Sequence, residues 1–438
     1  MMLPPRQSMI RKAALLLVIA GTSMVPLFFI RLNEPSFELN LFKLLAKTGS
    51  LCGTLLLFWQ FLLGCRQAVS RWVTPDYLWV IQLHRRLGIA AVWLIALHPV
   101  FIIPYYRIKP GLQPLFAALP EPLNLFVPLG IVAFVLLLVI ALSSTVLRSR
   151  LSHRTWYVMH LTSYAVLPLV YIHGFPIGMT LEETGLGRFW IGLFVLTGLF
   201  FVFRLLSRLG LLDARYDVTD VIPEGRDTVE IAMRPVRRPL QPGSAQFAFF
   251  RCGLFQPARP FTVSKYDADS GALSITVKNA GRISGQLQTV EPGEHFWVDG
   301  PYGVFGREAF QTSRPVVMLA GGIGVTPFRR MIAELEVLPD REAYLFYGNP
   351  AEPDIAHREE LEDADHVDVI HVLSGTPEHK ELETGQISID LIRKYLDQRL
   401  VDCEYFLCGP PPMIQKLEAD LLEHGVPGEQ IHHELFSF

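Results

Sequence analysis

Four histidines in otherwise apolar sequence, in the first half of the chain, have a type and spacing suited to redox chemistry. His84 and His98 bracket one apolar run, and His160 and His173 bracket another. Ionisable side chains are costly inside a bilayer, so histidines within spanning helices indicate a functional site. Imidazole is also a common metal ligand. Two histidines near opposite ends of each of two helices predict axial ligands for two stacked b-type haems.

The spacing within each run bears on this prediction. Fourteen residues lead from His84 to His98, which on a helix is about 21 Å and nearly four turns, so both side chains share a face. The 13 residues from His160 to His173 are further from a whole number of turns, so these two side chains share a face less well. A kink at Pro168 would change the helical phase between them. Buried histidines also pack between helices through hydrogen bonds. Zinc is disfavoured because the pairs are too far apart to share an ion and no cysteine or carboxylate joins them.

The composition is that of a membrane domain joined to a soluble one. Half of the residues are hydrophobic, and the length of 438 residues leaves room for two or three domains. The net charge is −3, and no basic run indicates binding to nucleic acid. The five cysteines form neither a CxxC pair nor a CxxCH haem-attachment motif, which fits a reduced, cytosol-facing soluble half. Apolar runs predict six spanning helices, at residues 13–30, 44–64, 83–104, 124–147, 157–178 and 188–209.

Basic residues predict the orientation of these helices. They precede the first helix, lie between the second and third and between the fourth and fifth, and follow the sixth. We therefore expect a multi-pass protein of the inner (cytoplasmic) membrane with both termini in the cytoplasm. The apolar run from Ala13 to Ile30 is long for a signal peptide and is predicted to be a retained helix. His153, in a basic loop, is predicted to be a surface residue.

The second half of the chain has soluble composition and two patterns. After Leu212, short alternating segments predict an antiparallel β-barrel. From about Pro315, apolar strand-like runs alternate with amphipathic helices and predict an α/β domain with a parallel sheet. The predicted domains are residues 1–212 for the six-helix membrane bundle, 213–312 for the barrel and 313–438 for the α/β domain.

One predicted barrel strand carries residues suited to a flavin. An arginine fork grips pyrophosphate, an aromatic ring covers the isoalloxazine and a hydroxyl reaches a ring nitrogen. These residues are Arg259, Pro260, Phe261, Thr262 and Ser264. A later glycine-containing turn lets backbone amides close on a phosphate, although taken alone it is equally consistent with an ordinary turn after a strand. Its residues are Lys278, Gly281 and Ser284.

Two further segments follow strands in the α/β half. The first follows the apolar strand Val316–Ala320 and opens a helix, as a dinucleotide-binding turn does, although it is not a strict GxGxxG. It contains Gly321, Gly322, Gly324, Thr326 and Pro327. The second places Cys408 at a strand end, near an expected nicotinamide, although a lone buried cysteine is otherwise structural. It continues through Gly409, Pro410 and Met413.

The motifs RPFTxS, KxxGxxS, GGIGxTP and CGPPPM, in this order and spacing, resemble the ferredoxin–NADP reductase superfamily. Joined to a six-helix, four-histidine membrane region, the chain resembles the ferric reductase and NADPH oxidase superfamily in a compact bacterial form. The resemblance implies that the first two motifs bind FAD and the last two bind NAD(P)H. It also implies that Thr262, Cys408 and a C-terminal aromatic act where hydride is transferred. Phe438 is the candidate aromatic, with Phe436 next.

The resemblance implies a transmembrane flavocytochrome embedded in a lipid bilayer. Cytosolic NAD(P)H would reduce FAD, and electrons would pass to the haem of His84 and His160 and then to that of His98 and His173. The outer acceptor would be oxygen, giving superoxide, or a ferric chelate, giving ferrous iron, so the chain would be an NAD(P)H oxidase or ferric-chelate reductase. One alternative is an electron-delivery subunit that docks a periplasmic partner protein. A weaker one is a haem-free membrane flavoprotein.

Three features qualify these expectations. Arg259 stands where the eukaryotic oxidases usually have histidine. Pro350 stands where related reductases often carry an arginine, which weakens a preference for NADPH over NADH. Basic residues at the outer helix ends would attract an anionic acceptor, although ordinary interfacial positions are the simpler interpretation. These are Arg31, Lys43, Lys47, Arg107 and Lys109.

Overall fold

The computed structural model of the chain describes residues 5–109, 123–253, 256–338, 341–375 and 382–434. The chain forms two compact units. One comprises Leu3–Leu205, and the other consists mainly of Leu206–Phe438.

Over the described residues, six helical segments are long and apolar enough to cross a membrane. They are Gln7–Phe29, Phe37–Leu63, Tyr77–Ile108, Leu125–Ser144, His153–Ile177 and Leu186–Arg208. The six predicted spans are therefore confirmed. The α-helices are α1 (Pro5–Met24), α2 (Phe37–Lys47), α3 (Gly53–Leu63), α4 (Arg66–Trp72), α5 (Tyr77–Ile108), α6 (Leu123–Ser144), α7 (His153–Leu161), α8 (Ser163–Ile177), α9 (Met179–Glu183) and α10 (Leu186–Arg208).

The bundle buries apolar side chains in its interior and exposes others on its exterior. Ala91, Tyr171 and Trp190 are at most 2% exposed, whereas Phe28 is 87% and Trp93 is 74% exposed. Large apolar groups on the outside of a water-soluble bundle would be unfavourable, but lipid tails solvate them. The spans therefore combine a packed interior with a lipid-compatible surface.

The second span is interrupted where it meets the third. A π-helical turn, Thr48–Cys52, separates α2 from α3. A Cβ at Gly49 would lie 2.7 Å from both the backbone nitrogen of His98 and the carbonyl oxygen of Leu94. Such turns insert one residue into a helix and often occur at functional sites. Glycine in this turn allows α5 to approach the second span at the level of His98.

The fifth span is also interrupted, but not at the predicted position. The break lies at Thr162, between α7 and α8, and Pro168 lies inside α8. Proline disrupts a helix towards its amino-terminal side, because it lacks an N–H and its ring crowds the carbonyl four residues earlier. The change of helical phase between His160 and His173 therefore occurs before the proline rather than at it.

One carboxylate fastens the bundle end that carries His98. The Glu34 Oε1 atom accepts hydrogen bonds from Lys43 Nζ at 3.0 Å, Tyr105 Oη at 2.8 Å and Lys109 Nζ at 3.1 Å. Burial alone would raise the pKa of Glu34, but the hydrogen bonds from these three partners lower it to about 2. The loop after the first span is thus tied to α2 and α5.

The second unit begins with a closed antiparallel barrel. Its strands are β1 (Ala214–Pro223), β2 (Thr228–Pro235), β3 (Phe247–Arg251), β4 (Arg259–Tyr266), β5 (Leu273–Lys278) and β6 (His295–Tyr302), in the order β1-β2-β5-β4-β3-β6, with α11 (Arg282–Leu287) after β5. The barrel prediction is confirmed, although β6 was not among the predicted strands. Its Gly300-Pro301 pair is a turn signal and obscures the alternation.

A parallel sheet follows the barrel, as predicted. Its strands are β7 (Val316–Gly321), β8 (Ala343–Asn349), β9 (Val367–Leu373), β10 (Glu383–Thr384), β11 (Glu404–Cys408) and β12 (Ile431–Glu434), in the order β10-β9-β8-β7-β11-β12. The helices are α12 (Thr326–Leu335), α13 (Arg358–Glu362), α14 (Ile389–Tyr395) and α15 (Pro411–Glu423). Val316 and Met318 pack into one core and Val317 and Leu319 into another, so both faces of the sheet are covered.

Gly49→Ala should destabilise the bundle. The new methyl group would clash with backbone atoms of α5 and force the second and third spans apart, at about 1–3 kcal/mol. Thermal unfolding of the full chain in detergent would show a lower midpoint than wild type. Gly198→Ala is the matched control, because a Cβ there meets nothing within 4 Å. Equal midpoints for the two variants would contradict the close approach at Gly49.

Candidate functional site

The four histidines form two facing pairs inside the bundle. The ring centres of His84 and His160 are 6.3 Å apart, and those of His98 and His173 are 6.4 Å apart. One member of each pair comes from α5, and the other comes from the fifth span. The structure therefore brings together the predicted partners, in the predicted combination.

Each histidine is oriented by the span that precedes its own. In the third span, the Nδ1 atom of His84 lies 3.1 Å from the Gln60 carbonyl, and that of His98 lies 3.2 Å from the Ala46 carbonyl. A carbonyl oxygen only accepts, so these Nδ1 atoms carry the proton and the Nε2 atoms keep a free lone pair.

The fifth span repeats this arrangement against α6. The Nδ1 atom of His173 lies 2.8 Å from the Phe126 carbonyl, and that of His160 lies 3.3 Å from Ser144 Oγ. Metal-bound histidines usually use their second nitrogen in this way, which holds the tautomer and the ring orientation. All four rings thus have one nitrogen held by the protein.

The gap within each pair fits a metal bound between two imidazoles. Imidazole–metal bonds are about 2.1 Å, and the ring centre lies about 1.1 Å beyond the nitrogen, so two axial rings would have centres about 6.4 Å apart. Over the described residues, no third imidazole, thiol or carboxylate joins either pair at ligand distance. A pair with only two protein ligands suits a haem iron, whose remaining ligands come from the porphyrin.

Gly130 gives His173 its place beside α6. A Cβ at this position would lie 2.6 Å from the Cε1 and Nδ1 atoms of the His173 ring. The ring therefore lies directly on the helix backbone and reaches the Phe126 carbonyl. His153, by contrast, is exposed at the start of α7, as predicted.

In the second unit, the two predicted nucleotide segments lie side by side. Strands β7 and β11 pair in parallel, with Ala320 opposite Cys408. A Cβ at Gly324 would lie 2.2 Å from the Cys408 carbonyl oxygen, and one at Gly321 would lie 2.6 Å from Met413 Sδ. Carboxyl ends of adjacent parallel strands are where α/β sheets bind ligands. The backbone at these glycines is close enough to form one continuous cradle.

The other residues of these segments have distinct positions. Gly322 has φ 53°, a left-handed conformation that favours glycine. Thr326 and Pro327 are buried in the first turn of α12. Gly409 packs against Gly321, and Pro410 precedes α15.

The flavin motif lies on β4, where one buried hydroxyl has no partner. Thr262 is 4% exposed, and its Oγ1 makes no hydrogen bond with any described residue. An unpaired buried hydroxyl is unfavourable, so this atom is suited to a ligand atom such as a flavin ring nitrogen. Ser264 differs, because its hydroxyl donates to the Ser274 carbonyl and accepts from Thr276. Arg259, Pro260 and Phe261 are partly exposed at the start of the strand.

The second flavin segment forms the turn after β5. Lys278 ends the strand, and Gly281 has φ 155° and ψ −172°, which is essentially restricted to glycine. The Ser284 hydroxyl accepts from the Ala280 amide at 2.9 Å and donates to the Gly281 carbonyl at 3.1 Å. Ser284 therefore holds the turn closed, with Lys278 beside it.

The sequence did not single out Glu434, which lies next to Cys408. The two residues are opposite each other in the β11–β12 register, and both are buried. The Glu434 Oε2 atom has no hydrogen-bond partner among the described residues, and burial raises the pKa of Glu434 to about 8. The feature that could have identified Glu434 was an acidic residue at the end of a buried sheet strand. Burial also raises the pKa of Cys408, so its thiol stays protonated.

Gly303 and Phe247 lie between Glu434 and the flavin strand. A Cβ at Gly303 would lie 3.6 Å from Glu434 Oε1 and 3.3 Å from the Phe247 ring, and Phe247 is the β3 partner of Thr262. Thr262 on β4 of the barrel and Glu434 on β12 of the sheet thus each have a buried oxygen with no partner among the described residues. Phe436 and Phe438, predicted to cover the flavin, lie outside the described residues.

Comparison with known proteins matches the two units separately. Residues 48–171 match the family described as ferric reductase like transmembrane component, and residues 318–419 match the oxidoreductase NAD-binding domain. NADH–cytochrome b5 reductase 1 of Arabidopsis thaliana is 33% identical over 172 residues, covering 37% of this chain and 61% of that protein. The match thus spans about three fifths of that relative's length. A ferredoxin NADP+ reductase from Neisseria gonorrhoeae shares 19% identity at a TM-score of 0.44, over 50% of this chain and 97% of that chain.

Over the described residues, the chain thus combines six apolar spans, a closed antiparallel barrel and a parallel-sheet domain in which residues 318–419 match an oxidoreductase NAD-binding domain. The chain joins a ferric reductase-like transmembrane region, residues 48–171, to an oxidoreductase NAD-binding domain, residues 318–419.

The Glu434→Gln variant should lose the fall in stability with rising pH that this buried carboxyl group causes. Because the folded-state pKa of Glu434, about 8, is above its ordinary value of 4.5, its contribution is complete below pH 4.5 and is lost as pH rises towards 8. This one group should lower the free energy of unfolding by about 1.4 kcal/mol per pH unit in that window. Denaturant unfolding of wild type and variant at several pH values measures the difference. Glu429→Gln, at an exposed position, is the control and should leave the wild-type slope.

Proposed function

We propose that the chain passes electrons from cytosolic NAD(P)H through FAD and two b-type haems to an acceptor across the membrane. The observation that carries the proposal is the pair of imidazole gaps, 6.3 and 6.4 Å between ring centres, in which the Nδ1 atom of every ring lies within 3.3 Å of an oxygen of the preceding span. FAD accepts a hydride and releases single electrons, and haem iron carries single electrons. The proposed domains keep the boundaries 1–212, 213–312 and 313–438, with both termini in the cytoplasm of a bacterial cell.

The soluble residues have the following roles in this proposal. Arg259 and Lys278 neutralise the FAD pyrophosphate, Phe261 packs on the flavin, and Thr262 Oγ1 bonds a flavin ring nitrogen. The cradle that contains Gly321, Gly322, Gly324, Thr326, Pro327, Gly409, Pro410 and Met413 binds NAD(P)H. Buried Cys408 and Glu434 border the place of hydride transfer and exclude water from it. Phe438, or else Phe436, would be the aromatic residue that covers the flavin.

The membrane residues have the complementary roles. His84 and His160 hold the haem that receives electrons from the flavin side, and His98 and His173 hold the one that faces the outer acceptor. The carbonyls and the hydroxyl behind each ring maintain ligand orientation. Insulation by the apolar bundle limits electron loss to water.

Purified protein tests this function directly. Supplied with NADPH or NADH in detergent, it should reduce oxygen to superoxide or a ferric chelate to ferrous iron. Oxygen uptake that superoxide dismutase decreases would identify the oxidase activity, and a ferrous-specific chromophore the reductase activity. An isolated chain with flavin absorbance and no haem band would exclude the proposal.

A second candidate is an electron-delivery subunit for a periplasmic partner protein. Haem reduction by NAD(P)H, without transfer to oxygen or ferric chelates, would favour it. Both candidates use the same histidine pairs, so they share the next prediction.

Alanine replacements of the four histidines should act in pairs. His84→Ala and His160→Ala should lose the same haem, and His98→Ala and His173→Ala the other, because each ring is half of one axial pair. Reduced-minus-oxidised spectra and haem-to-flavin stoichiometry measure this, with about half the haem expected in each variant. The exposed His153→Ala control should keep both. Full haem content in all four variants would contradict the pairing.

The Lys47→Met variant should distinguish an anionic ferric chelate from oxygen as the electron acceptor. Lys47 is next to Ala46, which binds His98, and among the described residues its ammonium donates only to Thr180 Oγ1, at 2.6 Å. A poorly compensated cation near that pair should attract anions. The rate with an anionic ferric chelate should fall about fivefold or more, and the rate with oxygen should change less. Arg154→Met, at an exposed position of α7, is the control. Equal loss with both acceptors would argue against an anion site.

A further inference from the structure

A buried ionic cluster joins the barrel to the parallel sheet, next to the strand of the flavin motif. His357 is 4% exposed and has φ 57°, a left-handed conformation uncommon outside glycine. Its Nδ1 atom lies 3.2 Å from Glu224 Oε2 and 3.7 Å from Glu230 Oε2. Its backbone amide also donates to Glu224 Oε2 at 3.1 Å. Strain of this kind persists only where neighbouring contacts maintain it.

The cluster contains one guanidinium as well. Arg329, in the first turn of α12, donates to Glu230 of β2 and to Glu360 of α13. It lies three residues after Thr326, so it ties the helix behind the nucleotide cradle to the barrel. Nearby, the Arg226 amide donates to the Pro353 carbonyl at 3.0 Å.

The hydrogen bonds around His357 determine its protonation state. Its Nε2 atom lies 2.9 Å from Thr276 Oγ1. Thr276 donates its one hydroxyl proton to Ser264 Oγ, and Ser264 donates to the Ser274 carbonyl. Thr276 must therefore accept from His357, so Nε2 carries a proton.

The opposite side of the ring then requires a second proton. Nδ1 points at two carboxylate oxygens, and a lone pair there would repel both of them. A protonated Nδ1 instead donates at 3.2 Å to Glu224. The hydrogen bond from His357 lowers the pKa of Glu224, which keeps this carboxylate ionised.

We propose that His357 is a positioning residue whose imidazolium form holds the nucleotide-binding sheet against the flavin barrel. This proposal rests on the proposed function. The charged groups around the ring come from every element packed against it. They are Glu224 after β1, Glu230 on β2, Lys265 on β4, Arg329 on α12 and Glu360 on α13. Two cations, His357 and Arg329, thus bridge carboxylates of both halves.

Loss of a proton has a defined structural effect. If Nε2 loses its proton, Thr276 turns to donate to Nε2, and Ser264 turns to donate to Thr276. The Ser274 carbonyl then loses its donor from Ser264. Loss of the His357 proton thereby reverses the hydrogen bonds of Thr276 and Ser264, and the change reaches β4, the strand of the flavin motif. At the same time, one cation disappears from between the carboxylates, and the two halves are held less firmly.

The test is flavin reduction by saturating NAD(P)H, followed across pH in the full-length holoenzyme. The rate constant should fall about tenfold as pH rises through the ionisation of His357, because removing one member of a buried charge cluster is costly. The Kd for NAD(P)H should change little, because the nucleotide contacts lie on the sheet. His357→Asn keeps a residue that tolerates φ near 57° and should remove this pH dependence.

Two further variants complete the design. Glu224→Gln should weaken the pH dependence, because it removes one of the carboxylates that the imidazolium bridges. It also keeps the proposal testable if the asparagine variant does not fold. His366→Asn makes the same change at an exposed position of the same domain and should reproduce the wild-type profile. Identical pH profiles in wild type, His357→Asn and Glu224→Gln would overturn the proposal.

Hydrogen exchange separates this proposal from the proposed function. Protection of α12 and α13, corrected for intrinsic rate, should decrease over the same pH range in wild type and not in His357→Asn. This readout needs no hydride transfer, so it would persist if NAD(P)H failed to reduce the flavin. Unchanged protection with normal flavin reduction would overturn the role of His357 alone. Stoichiometric zinc whose chelation abolishes the pH dependence would identify a metal site and also overturn it.

Discussion

The bundle depends on holding four partly buried imidazoles in apolar surroundings through one nitrogen of each ring. An unsatisfied buried polar atom costs about 1–3 kcal/mol, and lipid offers no hydrogen bonds in compensation. Each ring is therefore bonded to the span before its own, through Gln60, Ala46, Phe126 or Ser144. The second and fourth spans thus orient ligands that the third and fifth spans carry. Glycines at positions 49 and 130 permit the necessary close contacts.

A parallel register has the same organising effect in the soluble unit. Strands β7, β11 and β12 place Ala320, Cys408 and Glu434 in line at the carboxyl edge of the sheet. Segments far apart in sequence become neighbours there because adjacent parallel strands end together. Gly324 closes the remaining distance by packing on the Cys408 carbonyl. The local chemistry of the cradle is thus set mainly by backbone position.

Sequence patterns predicted most of this fold, because apolar length, period-two alternation and strand–helix order are local signals. The pairing of the four histidines was also predictable, since the third and fifth spans run in the same direction and each carries a histidine near each end. Two classes of feature were not. The carbonyls behind the rings are backbone atoms, which no residue type reveals. Glu434 and His357 acquire their environments from elements distant in sequence, and β6 is hidden by its Gly-Pro pair.

The Glu34 clamp has a consequence for the medium that the bundle tolerates. A carboxyl group whose folded pKa is about 2 contributes fully above its ordinary value of 4.5, and this contribution is lost progressively as the pH falls from 4.5 to about 2. Strong acid would protonate ordinary surface carboxylates long before it released this one. The end of the bundle with His98 and His173 therefore keeps this ionic contact at an acidity that already neutralises ordinary carboxylates.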